Sequence, residues 1–256
     1  MRITFLGTGT SQGVPVIGCD CPVCQSNDPK NNRLRTSVHI THLGKSFVID
    51  TGPDFRQQML RENILDLDFI LYTHHHKDHI AGMDDIRSYN FRLKKAIPIY
   101  AGFDTLMQLK NEYPYVFTPH GYGGAPRIEV NEIHNHPFRA QNIDVIPLEV
   151  FHHKLPVFGF RIDDFAYITD ASSIPATELD KIKNVNVLVI NALQKSSHIS
   201  HFTLREALEE IEKINPGIAY ITHISHKMGL HEDVTKELPT HVVLAYDGLK
   251  IDLGSA

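Results

Sequence analysis

Tryptophan is absent from this sequence, cysteine occurs only three times in 256 residues, and charge is nearly balanced at −5. No apolar run approaches the roughly 20 residues that a membrane-spanning helix needs. The mild acidity gives no general pull toward nucleic acid or anionic membrane. An odd number of cysteines, all between Cys19 and Cys24, makes a poor disulfide framework. The start, Met1-Arg2-Ile3-Thr4-Phe5-Leu6-Gly7, reads as a strand running into a glycine turn, so the expected compartment is the cytoplasm. There is no fixed-period repeat and no low-complexity tract. With 42% hydrophobic and 21% charged residues, the chain has the composition of an ordinary globular protein, expected to form one domain over residues 1–256.

Histidine is what the chain has in excess, at 17 residues. Four of them lie in Thr73-His74-His75-His76-Lys77-Asp78-His79. The run Phe69-Ile70-Leu71-Tyr72 before the motif reads as the end of a buried strand, spanning Ile64–Tyr72, with the histidines in the loop that follows. In that loop His74 and His76 can point to one centre while Asp78 and His79 point to a neighbour. The three cysteines have C-x-C-x-x-C spacing, which offers three soft ligands for zinc. A tetrahedral site then needs one histidine from elsewhere. The clip, around residues 18–26, falls in a long loop from Gly9 to Arg35, which such a site would order.

Elsewhere alternation predicts an early meander and then strands exchanging with helices. Strands are expected at 37–41, 46–50, 97–100, 127–132, 143–150, 159–162, 165–169, 187–191, 218–222, 242–245 and 249–253. Helices are expected at 54–62, 82–91, 104–111, 175–183, 204–214 and 232–238. Residues 113–126, rich in proline and glycine, read as irregular. The pattern suggests two sheets inside outer helices.

The H-x-H-x-D-H motif resembles the metallo-β-lactamase-fold hydrolases. That resemblance implies an α/β fold, the αββα sandwich, with two mixed β-sheets flanked by helices. Two metals roughly 3.5–4 Å apart would clamp a water and a substrate oxygen. Each needs further ligands, and a carboxylate can bridge them. His152 follows a strand and, by its place in the resembled motif, is preferred over its neighbour His153 to complete the His74/His76 centre. Asp170, at the end of Ala166-Tyr167-Ile168-Thr169, is the expected bridge. His223, at the end of Ile218-Ala219-Tyr220-Ile221-Thr222, would join Asp78 and His79. That leaves His226 as the fourth ligand for Cys19, Cys21 and Cys24.

With this clip the chain looks like the phosphoribosyl cyclic phosphate phosphodiesterases of bacterial phosphonate breakdown. Further matching pieces are Gly7-Thr8-Gly9, Gln12-Gly13-Val14-Pro15 and Phe158-Gly159-Phe160. The resemblance implies a dinuclear Mn or Zn centre, a separate structural zinc, a small cyclic phosphodiester as substrate, and a homodimer. His201 and Asp78 are then the residues assigned to the chemistry. A histidine at the place of His201 would protonate the leaving oxygen or hold the phosphoryl group, with His198 a second candidate. Asp50 would orient a ligand histidine from behind. Rival functions are tRNA 3′-end processing, thioester or lactone hydrolysis, and a non-catalytic metal-binding role. His39, His42, His75, His120, His134, His136, His231 and His241 are expected to be structural or solvent-facing. Arg33, Arg35 and Arg56 are expected to be exposed or paired.

Overall fold

The computed structural model describes residues 1–118 and 123–254. Its first sheet begins with β1 (Arg2–Gly7), β2 (Ser37–His42) and β3 (Lys45–Ile49), an antiparallel meander. Three parallel strands follow, β4 (Phe69–Leu71), β5 (Ile97–Ala101) and β6 (Ile128–Glu132). The second sheet repeats this sequence of events. The strands β7 (Phe138–Ala140), β8 (Ile143–His152), β9 (Leu155–Ile162) and β10 (Phe165–Tyr167) are antiparallel neighbours. Then β11 (Val187–Asn191), β12 (Ile218–Thr222) and β13 (Val242–Leu244) add on in parallel. Finally β14 (Lys250–Asp252) crosses back to pair with β1, so each sheet has seven strands.

Helices cover the outer faces. They are α1 (Phe55–Arg61), α2 (Lys77–Ile80), α3 (Arg87–Leu93), α4 (Phe103–Glu112) and α5 (Pro114–Phe117) with the first sheet, and α6 (Ala176–Ile182), α7 (Leu204–Ile214) and α8 (His231–Glu237) with the second. Three apolar layers result. Phe5, Phe47, Phe69, Phe160 and Tyr167 fill the space between the sheets. Leu6, Phe55, Ile70 and Ile86 lie under one set of helices, and Leu188, Ile190 and Ile211 under the other. This is the αββα sandwich, and both sheets are mixed. Among the described residues no helix is long and apolar enough to cross a membrane.

Three expectations shift for local reasons. The strand expected from Ile64 begins only at Phe69. Asp68 instead accepts the Ser46 amide through its side chain (3.0 Å), a bond that competes with the ladder. In the second sheet β9 begins at Leu155, four residues early. Pro156 is tolerated there because β10 reaches only Phe160–Ile162, so the prolyl nitrogen faces no ladder on that side. Inside the stretch expected to be irregular, Pro114–Phe117 forms a helical turn and the Tyr113 hydroxyl donates to the Ala81 carbonyl (2.9 Å). Of the loop Gly121–Gly124 and its neighbour His120, the residues His120, Gly121 and Tyr122 lie outside the described residues.

His39 is buried on β2, where its Nε2 meets Ser46 Oγ at 2.8 Å. Burial lowers its pKa from 6.5 to about 4. The unfolded chain therefore binds this proton first, and stability is lost as pH falls from about 6.5 to about 4. The span caps this contribution at about 3 kcal/mol. Urea unfolding at pH 7 and pH 5 is expected to show a smaller difference in His39→Gln than in the parent protein.

Candidate metal centre

The sequence-predicted ligands collect where the strands of both sheets end. After β4 the chain runs extended through His74 and His76, which as alternate residues share one side. It then turns into α2, closed by a bond from the His79 amide to the His76 carbonyl (2.9 Å). Asp78 and His79 thus sit on a helical turn rather than in the expected loop. The segment after β3 holds this turn from below. Thr51 N donates to His79 O and Gly82 N to Thr51 O, both at 2.8 Å. A side chain at Gly52 would strike the Asp78 carbonyl, since an added Cβ would lie 2.2 Å from it.

Two ligand groups form around one carboxylate. Asp78, His79, Asp170 and His223 place ligand atoms within 4.8 Å of one another, and so do His152, Asp170 and His201. Asp170 Oδ2 lies 3.2 Å from His79 Nε2, and Oδ1 lies 3.2 Å from His223 Nε2. His74 and His76 close the far side, with ring centroids 5.9 and 5.1 Å from His152. His79, Asp170 and His223 are buried, whereas His76 and His152 are half-exposed, so the arrangement opens on the His76/His152 side. His153 turns away from this set, its backbone in the left-handed region with φ 56° and its amide bound to Ser172 Oγ.

Hydrogen bonds from behind fix which imidazole nitrogen faces inward. Asp50 accepts from His79 Nδ1 at 2.7 Å, and from Thr73 N and Oγ1 at 2.8 Å. Thr73 Oγ1 in turn accepts from His74 Nδ1 at 3.0 Å. His152 Nδ1 donates to the carbonyls of Asp170 (2.9 Å) and Ser200 (2.8 Å). Each ring is left with a bare Nε2, and the buried Nε2 atoms of His74 and His79 have no hydrogen-bond partner. A bare lone pair facing two carboxylates is costly unless a cation lies between them. The residues present therefore fit divalent cations. Burial opposes charge on His79, yet Asp78, Asp170 and Asp50 outweigh it and raise its pKa well above 6.5. A proton there takes the place that a cation would fill.

Three residues of this network, Asp50, Asp170 and His223, have left-handed backbones, with φ of 66°, 58° and 55°. Non-glycine residues rarely adopt that region, and it clusters at functional sites. Asp50→Asn is expected to lower divalent-metal affinity 10- to 100-fold, because an amide can donate where the histidine needs an acceptor. Metal titration checks this.

The cysteine clip closes as the spacing anticipates. His226 Nδ1 lies 3.3, 3.4 and 3.6 Å from the sulfurs of Cys19, Cys21 and Cys24. A tetrahedral zinc with bonds of about 2.3 Å to sulfur and about 2.0 Å to nitrogen gives such edges, at about 3.5 Å. The Cys24 amide and His226 lower the Cys21 pKa to about 6, which favours the thiolate that zinc requires. The loop also reaches the other centre, as Thr10 Oγ1 lies 3.3 Å from His223 Nε2.

Thr10 and Thr73 are the contributors that sequence reasoning missed, and only their adjacency to the motifs could have signalled them. Neither Arg33 nor Arg35 joins the site. Arg33 is buried against Thr8 and the Ala245 carbonyl, and Arg35 pairs with Asp54.

This chain is similar to known proteins over most of its length. Residues 45–224 match the family model of the beta-lactamase superfamily domain. A solved structure of a new diphosphatase from the PhnP family is 40% identical with a TM-score of 0.92, covering 98% of this chain and 97% of that one. An octanoyltransferase of Porphyromonas gingivalis is 38% identical over 98% of this chain and 51% of its own length. A ribonuclease Z of Clostridium kluyveri is 27% identical over 55% of this chain and 46% of its own. The chain thus spans about half the length of the curated relatives it matches.

Proposed function

Because the chain belongs to the beta-lactamase superfamily and is a metal-dependent hydrolase close to the PhnP family, we propose that it hydrolyses a small, cyclic phosphodiester. The observation that carries this reading is Asp170, the residue common to both ligand groups, whose oxygens lie 3.2 Å from His79 and His223 of one group and 3.8 Å from His201 of the other. His74, His76 and His152 would hold one Mn or Zn ion, Asp78, His79 and His223 the other, with Asp170 between them. Cys19, Cys21, Cys24 and His226 would hold a separate zinc. Two divalent cations supply Lewis acidity, lowering the pKa of water and offsetting charge on the phosphoryl oxygens.

The chain's own residues do the rest. Burial disfavours an ionised Asp78, but His79 outweighs it and holds the carboxyl below its usual range, so Asp78 stays a carboxylate able to hold a cation or accept a hydrogen bond. Asp50, through Thr73 and His79, keeps the ligand rings from turning. The capping box of α7, in which Thr203 and Glu206 bond each other's amides, sets the chain entering that helix and with it His201. His201 Nδ1 is buried without a partner, 3.8 Å from Asp170 Oδ1. Burial lowers its pKa to about 3, so the ring is neutral. Of the two roles expected for it, holding the phosphoryl group fits a neutral N–H donor better than protonating the leaving oxygen. His198 lies beyond it, exposed, with ring centroids 5.1 Å apart.

His201→Gln is expected to lower kcat by about 10²-fold while bound metal is unchanged. Full turnover would remove His201 from the reaction, and lost metal would make it a ligand.

Metal-reconstituted protein should turn over bis-p-nitrophenyl phosphate, and then cyclic ribose phosphates. Two bound cations without turnover would redirect the reading to thioesters and lactones. A single tightly held zinc would favour a non-catalytic role. The Clostridium match favours a second reading, a ribonuclease. A net charge of −5 supplies little of the counterion release that drives RNA binding. The octanoyltransferase is a protein about twice as long as this chain.

A further inference from the structure

We propose that a cavity beside the metal centre binds an alkylammonium group carried by the substrate, an inference that rests on the phosphodiesterase reading. The cavity has a volume of about 310 Å³ and lies at the same edge of the sandwich. Thr73 and His75, which flank His74, form the wall nearest the ligand cluster. Phe103 and Asp104 come from the start of α4, Glu149 from β8 and Phe158 from β9. Phe158 N donates to Thr73 O at 2.9 Å, which ties this wall to the strand that delivers the histidines. Thr73 and His75 face the opposite side of this segment from His74 and His76, so a substituent on a phosphate held at the metal centre would enter the cavity by passing over the rim at His75.

The charge of the lining selects the ligand. It contains Asp104 and Glu149 and no lysine or arginine. Among the described residues neither carboxylate takes part in an ion pair. Lys181, the nearby cation on α6, is already bonded to Glu178 and Asn135. Glu178 also accepts the Glu149 amide at 3.1 Å, which holds that stretch of β8 without engaging its carboxylate. The amino end of α4 adds only about half a positive charge, against two carboxylates. A second phosphate in this space would be repelled.

Two aromatic rings complete the match. Phe103 is 58% exposed although it lines the cavity. Phe158 comes so close to Gly102 that an added Cβ there would lie 2.9 Å from its ring. Aromatic faces with carboxylates attract ammonium groups and offer little to an anion. The substrate class that fits is a small phosphodiester, cyclic or open, that carries an aminoalkyl or trimethylammonioalkyl arm.

The test compares two esters on metal-loaded protein, p-nitrophenyl phosphocholine and its uncharged carbon analogue, p-nitrophenyl 3,3-dimethylbutyl phosphate. Their scissile bonds are the same. The cationic ester is expected to have about tenfold higher kcat/KM, mainly through KM, and the ratio to fall to about one in the Asp104→Asn/Glu149→Gln variant. A second readout avoids turnover. Tetramethylammonium titrated into metal-free protein should give saturable NMR shifts that the double variant loses. Equal rates for both esters, or a preference the double variant retains, would overturn the assignment. If neither ester is hydrolysed but tetramethylammonium still binds, the phosphodiesterase reading fails and the cation cavity stands. If nothing binds either, both fall.

Discussion

Asp170→Asn is expected to reduce phosphodiester turnover by at least about 10³-fold, equivalent to about 4 kcal/mol of transition-state stabilisation. The reason is geometric. Asp170 is the one residue shared by the two compact ligand groups, with Oδ2 toward His79 and Oδ1 toward His223, both at 3.2 Å. An amide keeps the size but offers one oxygen and no charge. Elemental analysis should show divalent metal lost from the centre while the clip zinc stays. Metal at 100 times its dissociation constant stabilises a fold by about 2.7 kcal/mol. For a chain of this size that is a rise in Tm of roughly 5–10 °C, expected for the parent and absent in the variant. A variant that loses turnover but keeps its full metal content would show that Asp170 is not a ligand.

The second large effect is expected from Cys24→Ala. Without a third sulfur the clip should release its zinc, and the loop from Gly9 to Arg35 should become open to proteolysis. A loss of about 3 kcal/mol, or roughly 8 °C in Tm, follows if the clip orders this loop. The consequence should also reach the catalytic metals. Thr10 N donates to Ile224 O and Ile224 N to Thr8 O, so the loop is laced to the residue that follows His223. Thr10 also touches His223 directly. A 10- to 100-fold weaker affinity at the Asp78/His79/His223 position is expected, read by metal titration. Unchanged zinc content and an unchanged Tm would show that the sulfurs hold no metal.

Much of this molecule could be read from its sequence where periodicity and chemistry agree. The strands Val187–Asn191 and Ile218–Thr222 and the helix Leu204–Ile214 fall where the pattern put them. Each is a continuous apolar or amphipathic run, and α7 begins at a threonine followed by a glutamate three residues on. The expected ligands His74, His76, Asp78, His79, His152, Asp170 and His223 are brought together where strands of both sheets end. What could not be read is what depends on distant partners. Thr73 becomes a link only because Asp50, just past the end of the neighbouring strand β3, reaches its amide and hydroxyl. His75 and His134, set aside as structural or exposed, line the cavity beside the centre because α4 and β6 fold over to that edge. Arg33 looks like a surface residue but is buried, since the loop carrying it is pinned at Val14 on one side and Ala245 on the other.

The left-handed backbones at Asp170 and His223 set stability against activity. Glycine or asparagine would relax the backbone at Asp170 and His223, whereas at Asp50 it would also take the acceptor from Thr73 and His79. The changes that make the empty fold more robust are therefore the ones that disarm it. A lineage selected only to stay folded would drift toward such residues and away from its chemistry, leaving a sturdy sandwich with no reaction to perform.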